Sequence, residues 1–145
     1  MVELLEVSKE EVIYYINKLQ TELNNKNTSI IISNRDKNKC FINKYNITTK
    51  FIIHIVSELS YQDFCKKLVN RNEKYKNENL FLFAPVVTLK DRENIIKRKY
   101  VYLKINFLEE DKTVIIVSIH ECKYKLKYMF KEKKWKKSIV KNVIN

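Results

Sequence analysis

Of 145 residues only two are histidines, His54 and His120, and an ordinary imidazole is the side chain that changes charge near neutral pH. His120 closes the run Thr-Val-Ile-Ile-Val-Ser-Ile-His over 113–120. Ahead of it, residues 99–107 alternate Tyr100, Tyr102, Lys104 and Asn106 with Val101, Leu103, Ile105 and Phe107. An imidazole that can take or give a proton, a phenol that donates a hydrogen bond and an ammonium that neutralises charge together suit work on an anionic group. His54 lies roughly 160° around a helix from both Ile52 and Val56, which makes it a solvated or boundary histidine.

The elements that position these groups are two strands, 99–107 and 113–120, joined by the polar turn Glu109-Glu110-Asp111-Lys112. A period of two gives the first strand one apolar face and one face of phenols and ammonium. The second is apolar on both sides until Ser118, as a central strand should be. Tyr102 and Lys104 share a face, and His120 joins them only in the right register. A five-residue loop, 109–113, pairs Tyr102 with His120, and a three-residue loop, 109–111, pairs Tyr100 with His120; a four-residue loop turns His120 to the Val101 face. An odd loop is therefore expected.

The rest of the chain bounds the class. Apolar residues are 45% and charged residues 32% of the sequence, enough for one folded core. There is no glycine and one proline, Pro85, so no Gly-rich phosphate loop or dinucleotide fingerprint exists. Three cysteines, Cys40, Cys65 and Cys122, without CxxC spacing, argue against a disulfide framework or a zinc site. The start lacks the pattern of a signal peptide and no apolar run reaches membrane-spanning length. A soluble cytoplasmic protein with no membrane contact is expected. Formal net charge is +12, which favours a polyanionic partner, although a lysine-rich proteome gives the same sum. Residues 121–145 hold nine lysines against two glutamates and supply +7 of it.

In chain order, Ser8-Lys9-Glu10-Glu11 is a capping box opening a helix to about Leu23. Ser29 to Ser33 reads as a strand or extended connector. A second helix runs from Asn34–Lys39 to about Tyr45 with Cys40, Phe41 and Tyr45 inward, and a third spans roughly 49–58. Ser60 to Asp63 caps a fourth helical turn carrying Phe64, Cys65, Lys66 and Leu68. Residues 70–79 read as a loop, Leu80 to Ala84 as a strand ended by Pro85, and Lys90 to Asn94 as a turn. Residues 123–128 alternate like a lysine-blunted edge strand, and 131–141 form either a basic amphipathic helix or a solvated terminus. The expectation is an α+β domain over 1–122, N-terminal helices on a three- to four-stranded antiparallel sheet, with a basic C-terminal extension over 123–145.

Four blocks in this order carry a family resemblance over about residues 8–121. They are the helix opening at Ser8–Glu11; Asn34-Arg35-Asp36-Lys37-Asn38 through Asn46-Ile47-Thr48 to Leu59; Ser60-Tyr61-Gln62-Asp63-Phe64-Cys65-Lys66; and Val101 to Ile105 followed by Val117-Ser118-Ile119-His120-Glu121. The chain resembles Gram-positive-type members of the MqsR family, toxins of type II toxin–antitoxin systems with a RelE-like fold that cleave messenger RNA. That resemblance implies an active surface containing Lys66, Tyr102 and His120, an RNA substrate and a cognate antitoxin. It departs at Leu80-Phe81-Leu82-Phe83, where relatives usually carry Trp, sometimes followed by a polar catalytic side chain, and in the segments around 90–97 and after Cys122.

Residue chemistry fits the same reaction. RNA cleavage without a metal or other cofactor needs a deprotonated 2′-hydroxyl, a neutralised phosphorane and a protonated 5′-oxygen. His120 is the candidate acid or base, Lys66 and Lys104 the charge stabilisers, and Tyr102 a phosphate donor or stacking ring. Arg98, Lys99 and Lys123 flank these as RNA-binding cations. Two other readings stay open: a non-catalytic nucleic-acid-binding module stacking bases on Tyr100, Tyr102, Tyr124, Tyr128 and Trp135, and a regulator that docks an acidic protein.

Overall fold

A computed structural model gives the fold, describing residues 4–69, 79–130 and 139–140. Helix α1 (Lys9–Leu23) starts where Ser8 Oγ accepts the Glu11 amide at 3.1 Å, and it buries Val12, Ile16 and Leu19. Helix α2 (Asp36–Lys44) turns the stripe Asn38, Phe41 and Tyr45 inward. Cys40, expected on that stripe, is exposed instead, because the buried positions recur every three to four residues from Asn38. Helix α3 (Thr49–Ser57) is capped by Thr48 Oγ1, which accepts the Phe51 amide at 3.1 Å, and buries Phe51, Ile52, Ile55 and Val56.

The fourth helical turn stops early. Tyr61–Asp63 makes one 3-10 turn, closed by Ser60 N donating to Asp63 Oδ2 at 3.0 Å. Phe64–Val69 then extends as strand β3, hydrogen-bonded on both edges, to β1 (Leu4–Leu5) and to β4 (Asn79–Phe83). Pairing on two sides outweighs the helix-like spacing of Phe64, Cys65 and Leu68. The remaining strands are β2 (Ser29–Ile32), β5 (Val86–Lys90), β6 (Ile96–Leu108), β7 (Thr113–Glu121) and β8 (Ile139–Val140).

The main sheet runs β1-β3-β4-β6-β7-β2, antiparallel throughout except that β2 lies parallel to β7. The three- to four-stranded antiparallel sheet is thus a larger, mixed one. Its unforeseen members are the strand read as a helical turn and the short strand at one edge. Strands β4 and β5 keep one register against β6 across Ala84 and Pro85, with Phe83 opposite Leu103 and Val86 opposite Tyr100. Proline lacks an amide proton, and here its carbonyl alone is used, accepting Val101 N at 2.9 Å. The turn after β5 falls where expected. Asp91 Oδ1 accepts the amides of Glu93 and Ile95, both at 2.9 Å, and Asn94 takes a left-handed φ of 64°.

One face of the sheet is covered by α1, α2 and α3, which share one core with Phe81, Phe83, Val101, Leu103, Ile105, Val114, Ile116 and Ile119. The second face carries a smaller cluster of Cys65, Leu82 and Ala84 packed by Tyr102, Leu126 and Tyr128. Residues 122–130 form no edge strand. They cross this second face irregularly, tied down by Cys122 N to Tyr100 O at 2.9 Å, Tyr128 Oη to Ala84 O at 2.6 Å and Met129 N to Phe64 O at 3.1 Å. Tyr128 donates to a carbonyl in the connection between β4 and β5. The helix expected over 131–141 lies outside the described residues, except that Ile139–Val140 pair in parallel with Val87–Thr88. Among the described residues no helix is long and apolar enough to cross a membrane.

Replacing Thr48 by alanine removes the α3 cap and should cost about 1 kcal/mol. Urea denaturation should show this as a lower midpoint with an unchanged slope.

Candidate active site

The turn between β6 and β7 has four residues, Glu109–Lys112, with Lys112 at φ 48°. The odd loop inferred from sequence is therefore wrong. From it, Leu108 pairs with Thr113, Phe107 with Val114, Asn106 with Ile115 and Ile105 with Ile116. A regular continuation would set His120 opposite Val101, on the helix-covered face. The ladder instead slips by one at a bulge, and beyond it Lys104 pairs with Ser118, Leu103 with Ile119 and Tyr102 with His120. Two parity changes cancel, so His120 shares the face of Tyr102 and Lys104 after all.

The backbone shows where the extra residue sits. Successive strand carbonyls normally point to opposite edges. Here the Ile116 carbonyl accepts Ser33 N at 3.0 Å and the next carbonyl, Val117, accepts Asn38 Nδ2 at 3.2 Å, both from outside the β6 edge. Asn38 also donates to Ser33 O at 3.0 Å and accepts from Ile119 N at 2.8 Å. It is 1% exposed. Beyond the end of β2, this one side chain satisfies the edge of β7 that a neighbouring strand would otherwise cover.

The imidazole of His120 stacks on the Tyr102 ring, centroids 4.7 Å apart and planes 8° from parallel. His120 Nδ1 lies 2.9 Å from the Glu121 carbonyl. A carbonyl only accepts, so Nδ1 carries the proton and Nε2 keeps its lone pair. Burial lowers the His120 pKa from the usual 6.5, and Lys37, Lys104 and Lys123 lower it further against the opposing pull of that carbonyl. The imidazole is thus neutral at pH 7, the form a general base requires. Burial raises the pKa of the Tyr102 phenol, which therefore stays protonated and can donate.

Around this pair is a cleft of about 410 Å³, walled by the first turn of α2, by the hairpin face and by residues 122–126. Its charged lining is Arg35, Lys37, Lys104 and Lys123 against Asp36 alone. Arg35 Nη1 reaches across to donate to Ser118 Oγ at 3.2 Å, and Lys104 Nζ stands 5.9 Å from the Tyr102 ring centroid. Burial pushes the Cys122 thiol up to about 11, so it is no thiolate nucleophile near neutrality. Among the described residues no group of three or more His, Cys, Asp or Glu is placed to hold a metal ion.

Of the residues singled out by sequence, His120, Tyr102, Lys104 and Lys123 line this cleft. Lys66 does not. It pairs with Leu82, which pairs with Lys104, so it shares the face two strands away, roughly 10 Å along the hydrogen-bonding direction. Arg98 is exposed on the face of Tyr102, four residues back along β6. Lys99 falls on the opposite, helix-covered side, where with Lys44 and the Tyr45 hydroxyl it helps keep the Glu121 carboxylate below the usual range despite burial. His54 sits on α3 with its ring 6.3 Å from Phe51 and lines no part of the cleft. Sequence reasoning missed Arg35, Lys37 and Ser118 as cleft residues. Their signal was the polar cluster 34–39, but nothing local joins Arg35 to a partner 83 positions away.

Because the folded pKa of His120 is depressed, its contribution to stability is complete above about 6.5 and declines as pH falls from there towards the folded value. Proton-detected titration of the His120 ring should give a midpoint below 6.5. Lys104→Met or Lys123→Met should raise that midpoint, as should added salt.

No protein-family model, no curated protein and no solved structure matches this chain.

Proposed function

We propose that the protein is an endoribonuclease that cleaves RNA by attack of a ribose 2′-hydroxyl on the adjacent phosphate, acting as the toxin of a type II toxin–antitoxin system. What supports this most is the neutral imidazole of His120 stacked on a protonated phenol in a cationic cleft. The residue blocks that resemble those of MqsR-type, RelE-like toxins point the same way. His120 Nε2 takes the 2′-hydroxyl proton as the 2′-oxygen bonds to phosphorus. Arg35 and Lys104 neutralise the phosphorane. The bond from phosphorus to the 5′-oxygen breaks, and Tyr102 supplies the leaving oxygen's proton; solvent carries the proton on His120 back to the phenolate. The products are a 2′,3′-cyclic phosphate and a 5′-hydroxyl, and the residues named complete the cycle without a metal. Lys66, Arg98 and Lys123 bind phosphates outside the chemical step. An acidic antitoxin covering the cleft would be the partner in the cytoplasm.

A non-catalytic RNA-binding module is the second reading. It is favoured by Tyr124, which is 81% exposed on the cleft wall and free to stack on a base, a contact worth about 1–3 kcal/mol. His120→Ala separates the two. The nuclease should lose about 10²–10⁴-fold in cleavage rate, keep its affinity for a 2′-deoxy analogue and lose growth arrest on expression. An unchanged rate in His120→Ala would overturn the nuclease; RNA binding with no cleavage by the native chain would leave the binding module.

A further inference from the structure

We infer that Asn38 is the positioning residue of the proposed site: its amide side chain fixes the bulge that turns His120 into the cleft. The inference rests on the nuclease reading for its kinetic consequence but not for its structural one. Every polar atom of this buried side chain is committed to holding one backbone shape. The two Nδ2 protons go to Ser33 O and Val117 O, and Oδ1 takes the Ile119 amide. Val117 O and Ile119 N bracket Ser118, the residue that pairs with Lys104 just past the slip. Without that clamp the Val117 carbonyl would face a buried edge with no donor. The strand could satisfy it by rejoining the regular ladder set by the four-residue turn, which carries His120 to the level of Val101 and into the helix-covered side. A buried asparagine is costly unless its polar atoms are used, and here one Nδ2 proton and Oδ1 are used on the bulge and the other proton on Ser33 O.

Arg35 comes from the same stretch of chain and meets the same part of β7 through Ser118 Oγ. The α2 start therefore supplies both the clamp for the base and a cation for the phosphate. Loss of Asn38 should leave Arg35 and Lys104 able to hold RNA while the imidazole loses its place. The expected signature is a fall in kcat with KM nearly constant.

The test compares Asn38→Asp, which keeps the shape and the acceptor but loses both donor protons, and Asn38→Leu with the native protein. Thr48→Ala serves as a control of lowered stability remote from the cleft. In the native chain the Tyr102 ring current should displace the His120 ring-proton resonances from their free positions. In both Asn38 variants these should move to the free positions, and kcat on single-stranded RNA should fall at least tenfold with KM within twofold. Thr48→Ala should show neither change. Unmoved His120 resonances in a folded Asn38→Asp protein would overturn the inference, as would equal losses in Thr48→Ala. Moved resonances in a chain whose native form cleaves no RNA would retain the positioning role and sink only the nuclease. Should neither Asn38 variant fold, Val117 deletion decides: it builds a regular ladder that keeps His120 opposite Tyr102 without need of the clamp. A double variant with Asn38→Leu that folds and keeps the native resonances is expected; one that folds with free-position resonances overturns the role.

Discussion

In a pleated ladder the face a side chain occupies is fixed by its register, and every residue between a turn and a site inherits the turn's parity. Strand β6 bears that constraint for the whole protein, since β4 and β5 share one of its edges and β7 takes the other. Its odd-numbered residues Val101, Leu103 and Ile105 are packed beneath the helices, so its even-numbered Tyr102 and Lys104 have only the second face available. On β7 the apolar positions change phase, from Val114 and Ile116 before the bulge to Ile119 after it. The core accepts both phases, which is why one residue can be added without exposing an apolar side chain.

The cleft balances two opposed electrostatic demands. Cations gathered to hold an anion also disfavour a charged imidazole among them, and burial acts in the same direction. Both effects leave His120 neutral and ready to accept a proton. A bound polyanion would reverse part of this, since phosphate charge would offset Lys37, Lys104 and Lys123. In the proposed cleavage the imidazolium would then be better tolerated with RNA in place than without it.

Much of the fold was legible in the sequence. The capped starts of α1 and α3, the strand before Pro85, the turn at 90–94 and both members of the β6–β7 pair follow from local spacing and turn chemistry. What escaped was non-local. Two residues at Leu4–Leu5 are too few to show a period, and β3 has an apolar spacing that fits a helix until its partners on both sides are known. An odd turn was expected to put His120 on the Tyr102 face, paired with either Tyr102 or Tyr100; the pairing with Tyr102 is reached instead through a four-residue turn and a bulge. No residue of β7 announces that bulge. Its cause is Asn38, an asparagine that reads in sequence as part of a polar helix start.

The bonds joining the start of α2 to β7 link residues 79 to 83 positions apart. Ribosomal synthesis delivers α2 long before the strand it must grip, so the emerging polypeptide carries its arginine and asparagine uncommitted until the hairpin appears. An N-terminal fragment ending anywhere short of that hairpin holds helices but no cleft and no His120. Whatever this cleft does, it cannot begin before β7 has been made and gripped by the start of α2.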